Sequence, residues 1–255
     1  MKNIFDLSGK KALVTGASSG LGVQFAKALA EQGADIALLA RRIEKLNEVK
    51  SQIESMGRKC MAVQCDVTKE IEVETAVGQV LAEFGRIDIL ADNAGTSAIS
   101  PAENMSEADW NKVLDVNLKG VFLVAKHVGK QMITQKYGKI IITSSMYGIV
   151  GNTAFPVVNY HASKFGAVGI TKALAAEWAK HNITVNAIGP GFFESEMTSA
   201  AISTDDFKQY VAISCPMKRI GNAGELDGAM IYLASDASSY TTGQIIAVDG
   251  GWTSI

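Results

Sequence analysis

Tyr160 and Lys164 stand four residues apart in the run Tyr160-His161-Ala162-Ser163-Lys164. On a helix, positions i and i+4 share a face, one turn apart. A free tyrosine is a poor base at neutral pH, with a pKa near ~10. A neighbouring ammonium favours the phenolate and lowers that value. Such a pair could pass a proton to or from an alcohol near neutral pH. Surface helices produce the same spacing by chance, so the pair gains its meaning from what accompanies it.

A second group of residues binds rather than reacts. The short apolar run Lys11-Ala12-Leu13-Val14 leads into Thr15-Gly16-Ala17-Ser18-Ser19-Gly20-Leu21-Gly22. A helical pattern follows through Phe25, Ala26, Leu29 and Ala30 to Gly33. Glycines between a predicted strand and a predicted helix are the setting of a dinucleotide-binding turn. They let the backbone turn tightly and come close to a pyrophosphate, while the helix N-terminus offers free N–H groups. The spacing Gly16, Gly20, Gly22 differs from the common G-x-G-x-x-G. After the next predicted strand come Ala40-Arg41-Arg42, with no carboxylate. An acidic residue there would hold a ribose 2′-hydroxyl and repel a 2′-phosphate, whereas guanidinium groups pair with phosphate. The reading is NADP(H), with Arg41 as the main contact and Arg42 in support.

The elements that must position these groups alternate along the chain. Strands are predicted over 11–15, 35–39, 59–64, 87–91, 139–143, 184–188 and 244–248, with helical patterns between them. Apolar runs without polar alternation read as parallel strands covered on both faces. The alternation predicts an α/β fold, a Rossmann-type doubly wound parallel sheet of seven strands, with ligands at the strands' carboxyl ends. No shift of composition marks a linker, so residues 1–255 read as one domain for dinucleotide binding and catalysis. A helix is expected from about Tyr160 to Ala179.

Five motifs in this order resemble the short-chain dehydrogenase/reductase family, in its classical branch. They are Thr15 to Gly22, Asp92-Asn93-Ala94-Gly95, Ser144-Ser145, Tyr160 to Lys164, and Pro190-Gly191. The resemblance extends to Val248-Asp249-Gly250-Gly251 and so covers essentially the whole chain. It implies a catalytic tetrad of Asn117, Ser145, Tyr160 and Lys164. It implies that Gly16, Ser18, Ser19, Gly20, Leu21 and Gly22 hold the cofactor, together with Asp66 and Val67 at the adenine. Asn93, Ala94, Gly95, Pro190 and Gly191 would line the same cleft, with Tyr160 and Lys164. Backbone groups of Phe193 and the Ser195 hydroxyl would meet the nicotinamide carboxamide. In the implied chemistry Tyr160 moves the proton and Ser145 steadies the reacting oxygen. Lys164 lowers the Tyr160 pKa and binds ribose, and Asn117 anchors a relay water. No metal site is implied.

The chain departs from the family pattern twice. Asp92 stands where the family usually has Asn, which would alter a local hydrogen bond. Ser145 precedes Tyr160 by fifteen residues, about two more than the family's usual gap, so the loop 146–159 is expected to be long and to border the substrate. That loop and the substrate segment 192–215 contribute Met146, Tyr147, Val150, Phe155, Val157, Phe192, Phe193 and Met197. Ser145, Tyr147, Phe155, Tyr160 and Phe192 are the expected substrate contacts. The lining suits a bulky apolar alcohol or ketone. The overall resemblance leans to hydroxysteroid dehydrogenases, those acting on bile acids included, and also to gluconate dehydrogenases. A sugar acid would want a cation, and Lys208 is the only one in the two segments. A 3-oxoacyl carrier-protein reductase would need a basic docking face, which Lys126, Lys130 and Lys172 do not establish. A non-catalytic dinucleotide-binding protein is the remote alternative; the filled tetrad speaks against it.

A net charge of −2 gives no electrostatic case for nucleic acid or an anionic membrane. Cys60, Cys65 and Cys215 form no C-x-x-C pair, which fits a reducing compartment. The start Met1-Lys2-Asn3-Ile4-Phe5-Asp6 lacks the apolar core of a signal peptide. A cytoplasmic location is expected. The apolar helix from Tyr160, carrying Phe165, Val168, Ile170, Ala173, Leu174 and Trp178, and the family resemblance imply a homotetramer, with a dimer as runner-up.

Overall fold

The computed structural model describes residues 3–196 and 198–255. Met1, Lys2 and Met197 lie outside the described residues, and with Met197 one residue expected to line the pocket. The strands are β1 (Lys11–Thr15), β2 (Asp35–Ala40), β3 (Cys60–Gln64), β4 (Ile89–Asp92), β5 (Gly138–Thr143), β6 (Ile183–Pro190) and β7 (Ile245–Val248). They form one sheet of seven, in the order β3-β2-β1-β4-β5-β6-β7, with every pairing parallel. Predicted and observed strands agree within two residues. Two-residue shifts fall at the end of β6 and at the start of β4, where the Ile87 N–H goes to the Gln135 side chain at 3.1 Å.

The central strands are buried along most of their length because both faces are covered, and their middles are apolar. All six residues of β5 are buried, and so are the last four of β1. One face holds α1 (Gly20–Glu31), α2 (Ile43–Ser55) and α9 (Asp227–Ala234), through Phe25, Leu29, Leu46 and Met230. The other holds α3 (Glu70–Phe84), α5 (Val121–Gln135) and α6 (Val158–Trp178), through Val77, Val124, Val128 and Trp178. Each fully buried large apolar side chain contributes roughly 1.5–3 kcal/mol. Between α3 and α5 lies α4 (Glu107–Leu114), capped by Ser106, whose hydroxyl accepts from the Asp109 N–H at 3.0 Å.

After β3 the chain returns to the middle of the sheet and lays β4 beside β1. That reversal leaves a crevice at the carboxyl ends of β1 and β4, the place where open α/β sheets bind ligands. The segment after β6 carries α7 (Ser199–Ile202) and α8 (Asp205–Ser214) over the carboxyl ends of β5 and β6. A third, smaller apolar cluster joins it to the loop after β5, through Met146, Tyr147, Phe207, Val211 and Trp252. Among the described residues, no helix is long and apolar enough to cross a membrane.

Candidate active site

Thr15, the last residue of β1, organises the crevice. Its hydroxyl donates to Asp92 Oδ1 at 2.8 Å and accepts from the N–H groups of Asn93 and Ala94 at 2.9 and 3.0 Å. Asn93 Nδ2 donates to the Thr15 carbonyl at 3.3 Å. Asp92 therefore still offers Thr15 an acceptor, but it brings a carboxyl into a buried place. Its Oδ2 has no hydrogen-bond partner among the described residues. Burial pushes the carboxyl up to about 7, against the Thr15 hydrogen bond and the charge of Lys164.

The glycine-rich turn lies beside this corner. Gly16 and Gly20 take φ of 64° and 55°, the left-handed region that glycine enters freely. A Cβ on Gly16 would stand 2.9 Å from Ala94 Cα, and one on Gly22 would run into the Gly16 carbonyl. The turn is therefore closed tightly against β4. α1 starts at Gly20, and its N-cap Ser19 makes no side-chain capping bond. The first N–H groups of α1 have no carbonyl partner within the helix, which is what a phosphate-binding helix N-terminus offers a ligand.

Arg42, rather than Arg41, carries the contacts to this turn. Its guanidinium donates to Ser19 Oγ at 2.8 Å, Ser18 Oγ at 3.1 Å and Glu196 Oε2 at 2.9 Å. Arg41 acts instead on Asp66. Burial pushes that carboxyl up, but hydrogen bonds from Thr68 and the charge of Arg41 outweigh it and hold the group below its usual range. Val67 is buried against Gly120. Phosphate-binding turn, helix N-terminus and two arginines thus fit a dinucleotide with an added phosphate.

The four residues of the expected tetrad come together at the carboxyl ends of β4 and β5. Ser145 lies two residues beyond β5; its Oγ accepts from the Tyr147 N–H at 3.1 Å and acts on the Tyr160 phenol, opposing the upward shift that burial gives it. Ser144 turns the other way and donates to the Lys164 carbonyl at 3.1 Å. Lys164, buried on α6, donates to the Thr143 carbonyl at 2.8 Å, and its Nζ lies 5.6 Å from the centre of the Tyr160 ring. Burial pushes the ammonium down to about 8, with Asp92 opposing. For Tyr160 the sequence expectation needs correction. Burial raises its pKa, and the opposing influence is the Ser145 hydrogen bond rather than the lysine. Desolvation of a buried phenol disfavours its charged form, and sequence spacing carries no measure of that.

Asn117 sits in a π-helical turn, Asp115–Gly120, between α4 and α5. Such bulges are frequent at functional sites. Its side chain clamps Thr96 in both directions, accepting from the N–H at 2.8 Å and donating to the carbonyl at 2.9 Å. It also donates to Ser163 Oγ at 3.0 Å. Gly95 lies between Asn117 and Lys164.

Pro190 ends β6, and the Gly191 N–H donates to the Val248 carbonyl at 2.9 Å. Beyond it Phe192 points into an aromatic wall. Its ring centre lies 4.8 Å from Phe207, 5.4 Å from Trp252, 6.1 Å from Tyr147 and 6.2 Å from Phe155. Phe193 turns away and packs on Gly221. Ser195 lies against Gly20, and its hydroxyl shares a 3.0 Å hydrogen bond with Thr198. A cavity of about 560 Å³ is lined by Gly191, Phe192, Phe193, Cys215, Arg219 and Trp252, and none of the tetrad lines it. Lys208 is exposed and paired with Asp205 at 3.2 Å. Sequence reasoning missed Thr96, Thr143, Thr198 and Glu196 as partners of the site. Only their neighbours carried motif signals; these four act through contacts that folding creates.

Residues 16–253 match the family model described as Enoyl-(Acyl carrier protein) reductase. The chain is 41% identical over 243 residues to the 3-oxoacyl-(acyl-carrier-protein) reductase FabG of Staphylococcus epidermidis, covering 95% of this chain and 98% of that one. It is 36% identical over 251 residues to the gluconate 5-dehydrogenase of Gluconobacter oxydans, covering 98% and 97%. It is similar to the crystal structure of a gluconate 5-dehydrogenase from Burkholderia cenocepacia in complex with NADP and tartrate. There the TM-score is 0.95 at 36% identity, covering 99% and 98% of the two chains.

Proposed function

The chain belongs to the short-chain dehydrogenase/reductase family, and from that premise we propose that it interconverts a secondary alcohol and a ketone with NADP(H). The observation that carries this is the Tyr160 phenol held against Ser145 beside the buried Lys164. When bound, the cofactor supplies or accepts the hydride. Gly16, Ser18, Ser19, Gly20, Leu21 and Gly22 hold its phosphates, and Arg41, with Arg42 in support, takes the 2′-phosphate. Asp66 and Val67 border the adenine; Asn93, Ala94, Gly95, Pro190, Gly191, Phe193 and Ser195 border the rest.

In reduction Tyr160 starts neutral, as burial favours, and gives its proton to the ketone oxygen. Ser145 donates to that oxygen as charge develops on it. Ser145 steadies the phenolate that results, Lys164 takes the ribose of the cofactor, and a relay through water near Asn117 restores the proton. In oxidation Tyr160 accepts the alcohol proton.

The substrate reading we favour is a bulky, apolar ketone or alcohol of the hydroxysteroid kind, bile acids included. It rests on the aromatic wall of Phe155, Phe192, Phe207 and Tyr210, and on Lys208 being spent on Asp205. The likeness to proteins named for 3-oxoacyl thioesters and for gluconate supports the competing readings. NADPH absorbance across steroid ketones, keto-gluconates and acetoacetyl thioesters separates the three. Turnover of the steroid ketones alone is expected; a preference for either other class would replace this substrate reading.

We read residues 1–255 as one catalytic unit with 192–215 as its substrate segment. We also read it as a homotetramer, with a dimer as runner-up. Phe122 on α5 and Phe165 on α6 are each 47% exposed, and an apolar surface of this kind calls for a partner. Free, buried Cys60, Cys65 and Cys215 support the cytoplasmic reading.

A further inference from the structure

The long interval between Ser145 and Tyr160 is a feature that the chemistry above does not use. The structure shows where its extra residues go. After a 3₁₀ turn, Met146–Gly148, the chain loops out and returns to α6 at Val158. The loop closes on one side chain. Asn152 Oδ1 accepts from the N–H groups of Ala154 at 3.0 Å and Phe155 at 2.7 Å. This fixes the amide orientation, so Nδ2 is the atom that faces His161 Nε2, at 2.6 Å. The other ring nitrogen of His161, Nδ1, lies 2.9 Å from the Tyr147 carbonyl. A carbonyl only accepts, so Nδ1 carries the proton and Nε2 accepts from Asn152. Both ring nitrogens are spent, and the ring also packs on Tyr147, tilted by 35° at 4.8 Å between centres.

His161 is thus the residue next to Tyr160 and the anchor of the loop opposite. What the loop carries is Phe155, whose ring lies 5.8 Å from Tyr210, 6.2 Å from Phe192 and 6.3 Å from Phe207. The Pro156 carbonyl accepts from the Ser100 N–H at 2.9 Å, which holds the loop's far end. We propose that His161 and Asn152 form a latch that sets Phe155 as a wall of the substrate site, making His161 a positioning residue for substrate size. It acts through Phe155 and not on the reacting atoms. This inference rests on the reading that the site accepts ketones of differing bulk.

The test uses His161→Ala, Phe155→Ala and the double variant, assayed with NADPH on a steroid ketone and on cyclohexanone. Losing the latch should raise KM for the steroid ketone about tenfold, on the scale of one or two lost hydrogen bonds and their packing. The ratio of kcat/KM between the two ketones should fall by the same factor. In the Phe155→Ala background, His161→Ala should add little, because its lever is gone. Equal loss of kcat on both ketones, or full additivity, would overturn the proposal. Amide hydrogen exchange at Ala154 and Phe155 gives a readout that needs no substrate. Faster exchange there in His161→Ala is expected even if the ketone reading fails, and unchanged protection would refute the latch itself.

Discussion

Asp92 and Lys164 are both buried at the carboxyl ends of β4 and β5, and among the described residues each is the charge that acts on the other. Neither is comfortable there. Burial drives the carboxyl up to about 7 and the ammonium down to about 8, and their mutual attraction only moderates both shifts.

The consequence for stability has a definite sign. An unfolded aspartate loses its proton near ~3.9, while folded Asp92 keeps one until about 7. The folded state therefore binds more protons in that window, and this group's contribution to stability falls as pH rises through it. Lysine runs the other way. Between about 8 and an unfolded value near ~10.4 the unfolded state holds the extra proton, so the contribution of Lys164 improves with pH. The Tm difference between Asp92→Asn and the parent should thus widen in favour of the variant from pH 4 to 7. A constant difference across that range would show that Asp92 stays ionised throughout.

The same substitution should change catalysis. Without the carboxylate, Lys164 loses its counter-charge and gives up its proton at lower pH. The alkaline fall of kcat/KM for ketone reduction should move to lower pH in Asp92→Asn. An unmoved profile would mean that Asp92 does not influence the lysine.

For the cofactor, Ala40→Asp with Arg41→Ala should move preference toward NAD. Arg42→Ala should weaken NADPH binding and leave NADH binding less affected, since Arg42 bridges Ser18, Ser19 and Glu196. Loss of a desolvated guanidinium–phosphate pair costs on the order of 2–5 kcal/mol. Titrations of both nucleotides check this; a parent protein that binds NADH and NADPH alike contradicts the assignment.

Two glycines should respond oppositely to alanine. At Gly22 the methyl group meets the Gly16 carbonyl and the Asn93 amide, and overpacking of this kind costs ~1–3 kcal/mol. At Gly78, inside α3, nothing lies within 4 Å, so alanine should stabilise by roughly 0.5–1 kcal/mol. Denaturant midpoints of the two variants should move apart.

Light scattering addresses assembly. The tetramer reading expects about four times the 27.1 kDa of one chain. A mass near one chain at micromolar concentration would leave Phe122 and Phe165 without the partner proposed for them.

The sheet was legible because parallel strands buried on both faces are written as apolar runs, such as Ile140-Ile141-Ile142. The crevice was legible because glycines and arginines follow those runs at fixed places. What escaped notice depends on approach in space. Arg42 reaches back to Ser18 and Ser19, and Asn152 finds His161 across a loop. The π-helical turn at Asn117 adds no residue type that a helix would refuse. The upward shift of Tyr160 follows from burial, while the Tyr-x-x-x-Lys spacing spoke only of the lysine.

The central claim is that Tyr160 passes the proton in a ketone–alcohol interconversion. Tyr160→Phe keeps the ring packed and removes the hydroxyl that meets Ser145. With NADPH and a ketone turned over by the parent, the variant should lose ~10²–10⁴-fold in kcat while its NADPH affinity stays nearly unchanged. Turnover close to the parent's in Tyr160→Phe would contradict the account.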